Sequence, residues 1–268
     1  MTKDAHHAHD ASTALAGTGQ HMVVVVAHPD DETFGCGSLI AQSSSAGARV
    51  TVICATRGEA GARAPDPATD HLPLGDVRER ELRDAAAVLG VHATELLRFG
   101  DSGWDGPLPA GALCAVTIEE LAQELGARLE RLAPEIVLTI DGGDGHRDHL
   151  HIREAVEVAL ARHPTPVRLV RACLANSLMR RWVEEMRAQQ PRSVYVDLDV
   201  DHLGTPDSQL TAIDVSLHLE VRERAIACHR SQSSPYEQLS PELRRAFLST
   251  DFIQESAPHD RRPERDGI

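Results

Sequence analysis

Two short stretches of this sequence concentrate groups able to hold a metal and move protons. AHPDDETFGCG carries His28, Asp30, Asp31 and Glu32, and DGGDGHRDHLH carries Asp141, Asp144, His146, Asp148, His149 and His151. Three consecutive acids beside one histidine are costly unless a cation holds them, because like charges so close raise one another's pKa. His146 and His149 stand three apart at a helix start, so they can face one side together. Zn²⁺ takes imidazole nitrogen and carboxylate oxygen, and a catalytic site uses three protein ligands and keeps a position for water. His28, Asp31 and His149 supply such a set. The ion acidifies its water and polarises a carbonyl. Asp30 is placed to take the proton of that water. His146 is placed to stabilise an oxyanion as imidazolium or to protonate a leaving amine, and Asp148 to orient a histidine from behind. The reaction class that suits these parts is amide hydrolysis.

Each stretch alone has a duller reading. HPDD favours turns, and HRDH suits a solvated helix N-terminus with Asp148 in its first turn. Asp141 and Asp144 read as turn residues and His151 as helix surface. Two such stretches, each directly after a buried strand, outweigh these readings. Gly35-Cys36-Gly37 is not a dinucleotide fingerprint, since Ile40 stands where the third glycine belongs. GxxxxGK[ST], HExxH and GxSxG are absent.

The elements that must position these groups are legible as apolar runs. MVVVVA (Met22 to Ala27), VTVICAT (Val50 to Thr56), TELLRFG and EIVLTID (Glu135 to Asp141) read as strands, the β-branched runs as strands buried on both faces. GSLIAQSSSAG, VRERELRDAAAVLG, residues 116–132 and HLHIREAVEVALARH read as helices between them. VRLVRACLA and SVYVDLDV read as two further strands, and Gln209 to Cys228 as a last long helix. Strands alternating with helices predict an α/β, Rossmann-like fold, with a mostly parallel sheet, helices on both faces and a less regular C-terminal part. Ligands bind such sheets beyond the carboxyl ends of the strands, which is where both acidic stretches fall.

The chain has 268 residues, 41% of them hydrophobic and only 3% aromatic, so the core is built from Val, Leu, Ile and Ala. The expected organisation is a tail over 1–20, a single domain over 21–257 and a second tail over 258–268. A net charge of −14 argues against a grip on nucleic acid or an anionic membrane and favours a small-molecule partner. No apolar run reaches the roughly 20 residues of a membrane span. Five scattered cysteines without CxxC pairs read as reduced thiols of a cytoplasmic protein. Nothing in the sequence sets the oligomeric state.

AHPDDE followed by GHRDH resembles the LmbE-like zinc deacetylases, which include the N-acetylglucosaminyl-phosphatidylinositol deacetylases and the deacetylases of mycothiol and bacillithiol biosynthesis. The resemblance runs from about Met22 to Gln232. TRGEAG, Arg78 with Glu81 and Leu82, DSG (Asp101 to Gly103) and His229 with Ser231 and Gln232 are similar to lesser motifs of that family. It implies a Rossmann-like fold, Zn²⁺ (or Fe²⁺ in the cell) on His28, Asp31 and His149, and Asp30 as general base. It places the oxyanion or acid role on His146, with Asp148 as its orienting partner, and makes Arg78, Asp101 and His229 substrate contacts. Trp104, next to DSG, is placed to border the acyl group or sugar. The implied substrate is an N-acyl glucosaminyl small molecule: an inositol or malate conjugate, or an antibiotic sugar of the teicoplanin type. Two positions depart from the pattern. Asp144 stands where mycothiol-pathway members tend to carry tyrosine, and Arg147 replaces the commoner proline.

Two rival readings use the same ligands. Two His and one carboxylate also describe the facial triad of a non-haem Fe(II) oxygenase, whose usual scaffold is a double-sheet barrel. A non-catalytic metal-binding protein would keep the ligands but has no need of Asp30 and His146.

Overall fold

The structure, a computed structural model, describes residues 14–189 and 199–256. Its centre is a seven-stranded sheet. The strands are β1 (His21–Val26), β2 (Arg49–Cys54), β3 (Ala93–Leu96), β4 (Ile136–Ile140), β5 (Arg168–Cys173), β6 (Thr211–Asp214) and β7 (Thr250–Ser256). Their spatial order is β3-β2-β1-β4-β5-β7-β6. Pairing is parallel from β3 through β5, while β7 runs antiparallel to both β5 and β6. The chain winds outward from β1 to β3, then returns to place β4 on the other flank of β1. The strand order therefore reverses between β1 and β4, and a crevice opens beyond their carboxyl ends.

Alternate residues of the central strands feed two cores, as the period of a strand requires. Val24, Val26 and Val52 pack with Leu39 and Ile40 of α2 (Gly37–Ser45), Leu82 and Leu89 of α3 (Leu74–Leu89) and Ala225 of a later helix. Val23, Val25 and Ile53 pack with Leu121 and Leu125 of α4 (Ile118–Leu132) and Ile152 and Val156 of α5 (Arg147–Arg162). Short α1 (Asp31–Phe34) lies between β1 and α2. α4 begins with a reciprocal cap between Thr117 and Glu120, and α3 stops at Gly90, whose φ of 78° a side chain would resist.

The C-terminal third departs from expectation. Residues 209–228 are not one long helix: they hold β6 and the short α7 (Leu219–Ile226). Asp214 breaks the helical pattern by accepting the Ser216 N–H at 2.9 Å, and Thr211–Asp214 pair with β7 instead. Two further helices, α6 (Asn176–Gln189) and α8 (Pro241–Ser249), were not expected. Their Met179, Trp182, Met186, Leu243 and Phe247 form a third apolar cluster with Tyr236. Of the strand expected at SVYVDLDV, residues 193–198 lie outside the described residues, and 199–200 belong to a turn. The tail expected over 1–20 ends sooner: Leu15 and Ala16 are buried, and the Leu15 carbonyl accepts from Arg168 at 3.1 Å. Residues 1–13 and the tail expected over 258–268 lie outside the described residues.

Candidate active site

β1 delivers the first acidic stretch into the crevice and β4 the second. After Val26 the backbone turns sharply at Asp30, a non-glycine residue at φ 147°. The turn is pinned on every side. The Asp30 N–H donates to Glu32 at 2.9 Å, the Asp30 carbonyl accepts from Thr33 and Phe34, and the Asp31 carboxylate caps the His28 N–H at 2.8 Å. Backbone held in so sparsely populated a region costs on the order of 1–3 kcal/mol and persists only where its surroundings enforce it. On the β4 side, Gly142 and Gly145 take positive φ, and His146 caps α5, its Nδ1 accepting the Asp148 N–H at 3.2 Å.

The two stretches meet. His28 Nδ1 lies 3.2 Å from His149 Nε2, although the residues are 121 positions apart. Asp31 oxygens lie 3.2 Å from His149 Nε2 and 3.6 Å from His28 Nδ1. A tetrahedral ion with bonds of about 2.1 Å keeps its ligand atoms about 3.4 Å apart, so this triangle of two nitrogens and a carboxylate fits one. Two other groupings lie close enough to hold an ion, His28 with His146 and His149, and His28 with Asp101 and Asp148. The second of these uses the far nitrogen of His28. Nε2 sits 3.0 Å from Asp148 and 3.6 Å from Asp101, both buried, an arrangement in which carboxylates orient a ligand from behind. His146 already spends Nδ1 on the helix cap. At these separations the set of His28, Asp31 and His149 could hold an ion as well.

The electrostatics agree. Burial opposes charging His149, yet the Asp31 and Asp144 carboxylates lift its pKa to about 10; His28 is likewise raised by Asp101, Asp148 and Asp31. Burial also opposes ionising Asp31, but His149 and His28 hold its carboxyl well below the usual range. Asp30 differs from its neighbour: burial, then the Asp31 charge, push its carboxyl up to about 7. Two adjacent carboxyls driven apart in this way suit two different roles. His146 is held down to about 4 by burial and by His28 and His149. With Nδ1 accepting a backbone N–H, its neutral form carries the proton on Nε2. Burial and its two histidine neighbours thus disfavour the charged ring, whereas the sequence offered His146 as an imidazolium or as an acid for a leaving amine.

Several expected roles move. The Asp148 carboxylate serves His28, not His146, and also accepts from the Ser102 N–H at 2.9 Å and from Cys114. Asp144, read as a turn residue, lies 2.8 Å from His149 Nδ1. His229, expected at the substrate, is fully buried with Nε2 2.9 Å from Glu32 and is not among the residues lining the cavity described below, so it braces the Asp30 turn. Gln232 does the same, donating to the Pro29 carbonyl at 2.7 Å, while Ser231 binds Glu81 of α3 through N–H and hydroxyl. Asp101 holds the N–H groups of Ala60 and Gly103, and Arg78 is buried against Gly58 and Gly61 and donates to the Ala62 carbonyl.

Beside the triad opens a cavity of about 660 Å³. Its lining combines Asp30, Asp31, Asp144, His149 and Trp104 with the apolar Phe34, Met179, Trp182, Tyr236 and Phe252. The C-terminal third, which the sequence left without a role, thus builds its apolar wall. Among the described residues no helix is long and apolar enough to cross a membrane.

Residues 23–160 match the family model described as GlcNAc-PI de-N-acetylase (PIG-L). The chain is 31% identical over 233 residues to the 1D-myo-inositol 2-acetamido-2-deoxy-alpha-D-glucopyranoside deacetylase 1 of Saccharopolyspora erythraea, covering 79% of this chain and 77% of the relative. Among solved structures, the zinc-inhibited form of the teicoplanin deacetylase Orf2 aligns with a TM-score of 0.60 at 18% identity, over 90% of this chain and 99% of that one. The 4-carboxy-2-hydroxymuconate hydratase GalB of Pseudomonas putida aligns with a TM-score of 0.59 at 18% identity, over 89% and 97%. The two solved structures carry different chemistries on one fold, so fold alone does not choose the reaction.

Proposed function

The chain belongs to the PIG-L, or GlcNAc-PI de-N-acetylase, family, and from that premise we propose that it is a Zn²⁺-dependent hydrolase. It removes the N-acetyl group from a glucosaminyl small molecule, with inositol conjugates first among its substrates. The observation that carries this reading is the convergence of His28, Asp31 and His149 within 3.2–3.6 Å of one another, with Asp30 beside them.

His28, Asp31 and His149 would hold the Zn²⁺, which would supply an acidified water and a polarised amide carbonyl. Asp30 takes a proton from the attacking water as its oxygen bonds to the amide carbon. His146, as a neutral Nε2–H donor, stabilises the negative charge that develops on the carbonyl oxygen. The C–N bond then breaks, the proton held on Asp30 passes to the departing nitrogen, and acetate and a free amine result. Asp148 and Asp144 hold His28 and His149 in orientation throughout, and Trp104 borders the sugar at the mouth of the cavity.

The test is acetate release from 1D-myo-inositol 2-acetamido-2-deoxy-α-D-glucopyranoside and a panel of other N-acetylglucosaminides. It is run on enzyme as purified, after chelation, and after Zn²⁺ is restored. Loss on chelation with recovery on Zn²⁺ supports the reading; acetate release indifferent to metal overturns the mechanism. The oxygenase alternative predicts oxygen uptake in the same samples, and a mere metal binder predicts no turnover in any of them.

A further inference from the structure

We propose that Arg147 is a positioning residue: it clamps the loop 102–106 so that Trp104 stands as a fixed wall of the substrate cleft, setting affinity for the sugar conjugate more than the rate of hydrolysis. The proposal rests on the deacetylase reading above and adds to it a role for a residue that this reading leaves without one.

Arg147 is the first residue of α5, directly after the capping His146. Its guanidinium reaches out over the loop. Nε donates to the Gly103 carbonyl at 2.7 Å, Nη1 to Gly106 at 3.0 Å, and Nη2 to Asp105 at 3.0 Å and to Ser102. Four carbonyls of one five-residue segment thus converge on a single side chain, two on each side of Trp104. Only a planar fork with five N–H groups can satisfy that pattern; a lysine ammonium cannot span it. The loop is shaped to offer them, because Gly103 and Gly106 take φ of 68° and 77°, where other residues are strained. A second tie, from the Ser102 N–H to Asp148 at 2.9 Å, anchors the same loop to the carboxylate behind His28.

The object held in place is an indole that is 50% exposed. It lines the cavity with Asp30, Asp31 and His149, its ring edge-on to His146 with centroids 5.1 Å apart and planes at 74°. A half-exposed aromatic face beside the reacting groups is a surface for the apolar face of a sugar ring or its substituent. An exposed tryptophan on an untethered loop would lose freedom on binding, and ordering it beforehand removes that cost. Arg147 itself does not border the cavity, so its influence on substrate passes through Trp104.

Arg147→Pro is the informative variant. The first helical position accepts proline, whose fixed φ suits it and whose missing N–H has no intrahelical partner there, so α5 and the ligand on it survive. KM for the N-acetylglucosaminide should rise about tenfold while kcat falls less than about threefold, with bound Zn²⁺ unchanged. Arg147→Lys should fail to rescue it. Hydrogen exchange at residues 102–106 should quicken in Arg147→Pro while β1 stays protected. Trp104→Ala should raise KM alike, and the double variant should be no worse than Trp104→Ala alone, because the two act as one unit. Unchanged KM, unchanged loop exchange, or effects that add in the double variant would each overturn the proposal. A wild type releasing acetate from no glucosaminyl amide overturns the functional reading and the affinity claim with it; the exchange experiment, which needs no substrate, then still decides the clamp.

Discussion

The carboxylate of Asp144 stands 2.8 Å from Nδ1 of His149, on the opposite side of the ring from the nitrogen that faces Asp31 and His28. Asp148 stands in the same relation to His28, 3.0 Å from its Nε2. Each proposed histidine ligand therefore has its own carboxylate behind it, fixing ring orientation and tautomer and making the imidazole more basic. Asp144→Asn should weaken Zn²⁺ binding by about 10–100-fold while leaving the fold intact, measured by competition against a chelating dye. An unchanged metal affinity would show that the contact is ornamental.

Asp30 combines a proposed proton-transfer role with a strained backbone. Asp30→Asn keeps the strain and removes the base, so kcat should fall by about 10²-fold or more with little change in thermal stability. Asp30→Gly removes both. Activity should be lost equally, but stability should rise by roughly 1–2 kcal/mol as the strain at φ 147° is relieved. Calorimetry beside the kinetics separates the two effects, and a glycine variant less stable than wild type contradicts the strain.

His229 and Glu32 form a fully buried pair beneath the Asp30 turn. Removing His229 leaves the buried Glu32 carboxyl with only the Asp30 N–H and the Thr33 hydroxyl, and breaking a buried pair costs about 3–5 kcal/mol. His229→Ala should therefore lower the unfolding midpoint sharply. A variant of unaltered stability with a raised KM would restore His229 as a substrate contact.

His21 gives the fold a pH dependence away from the active site. Burial, against weaker opposing hydrogen-bond and charge effects, lowers its pKa below the ordinary 6.5. The neutral ring suits its neighbours, one nitrogen 3.0 Å from the Leu132 carbonyl and the other 2.9 Å from the Thr51 hydroxyl. With the folded pKa below the unfolded one, the unfolded chain binds more protons in acid. Its contribution is whole above about pH 6.5 and is lost as pH falls through the lowered pKa. Denaturant titrations from pH 5 to 8 should show a steeper acid decline in wild type than in His21→Gln; parallel curves would refute it.

β1, β2 and β4 were legible because strands buried on both faces must be continuous apolar runs, and HMVVVV, RVTVIC and IVLTI leave no other reading. The alternation of strand and helix then fixes a parallel sheet, and a parallel sheet exposes the ends of its strands to ligands. That is why two acidic stretches after two such strands already announced a shared site. The C-terminal third resisted because its strands are short and mostly polar: TAID finds its place only beside TDFIQES, and that strand only beside β5. No local pattern encodes a pairing made eighty residues away. The roles of Asp144, Asp148 and His229 were hidden for the same reason. Residue type told which groups can bind a metal or carry a proton. Which nitrogen each carboxylate faces, and whether a histidine meets substrate or a buried glutamate, depends on how separate loops pack against one another, which only the assembled sheet decides.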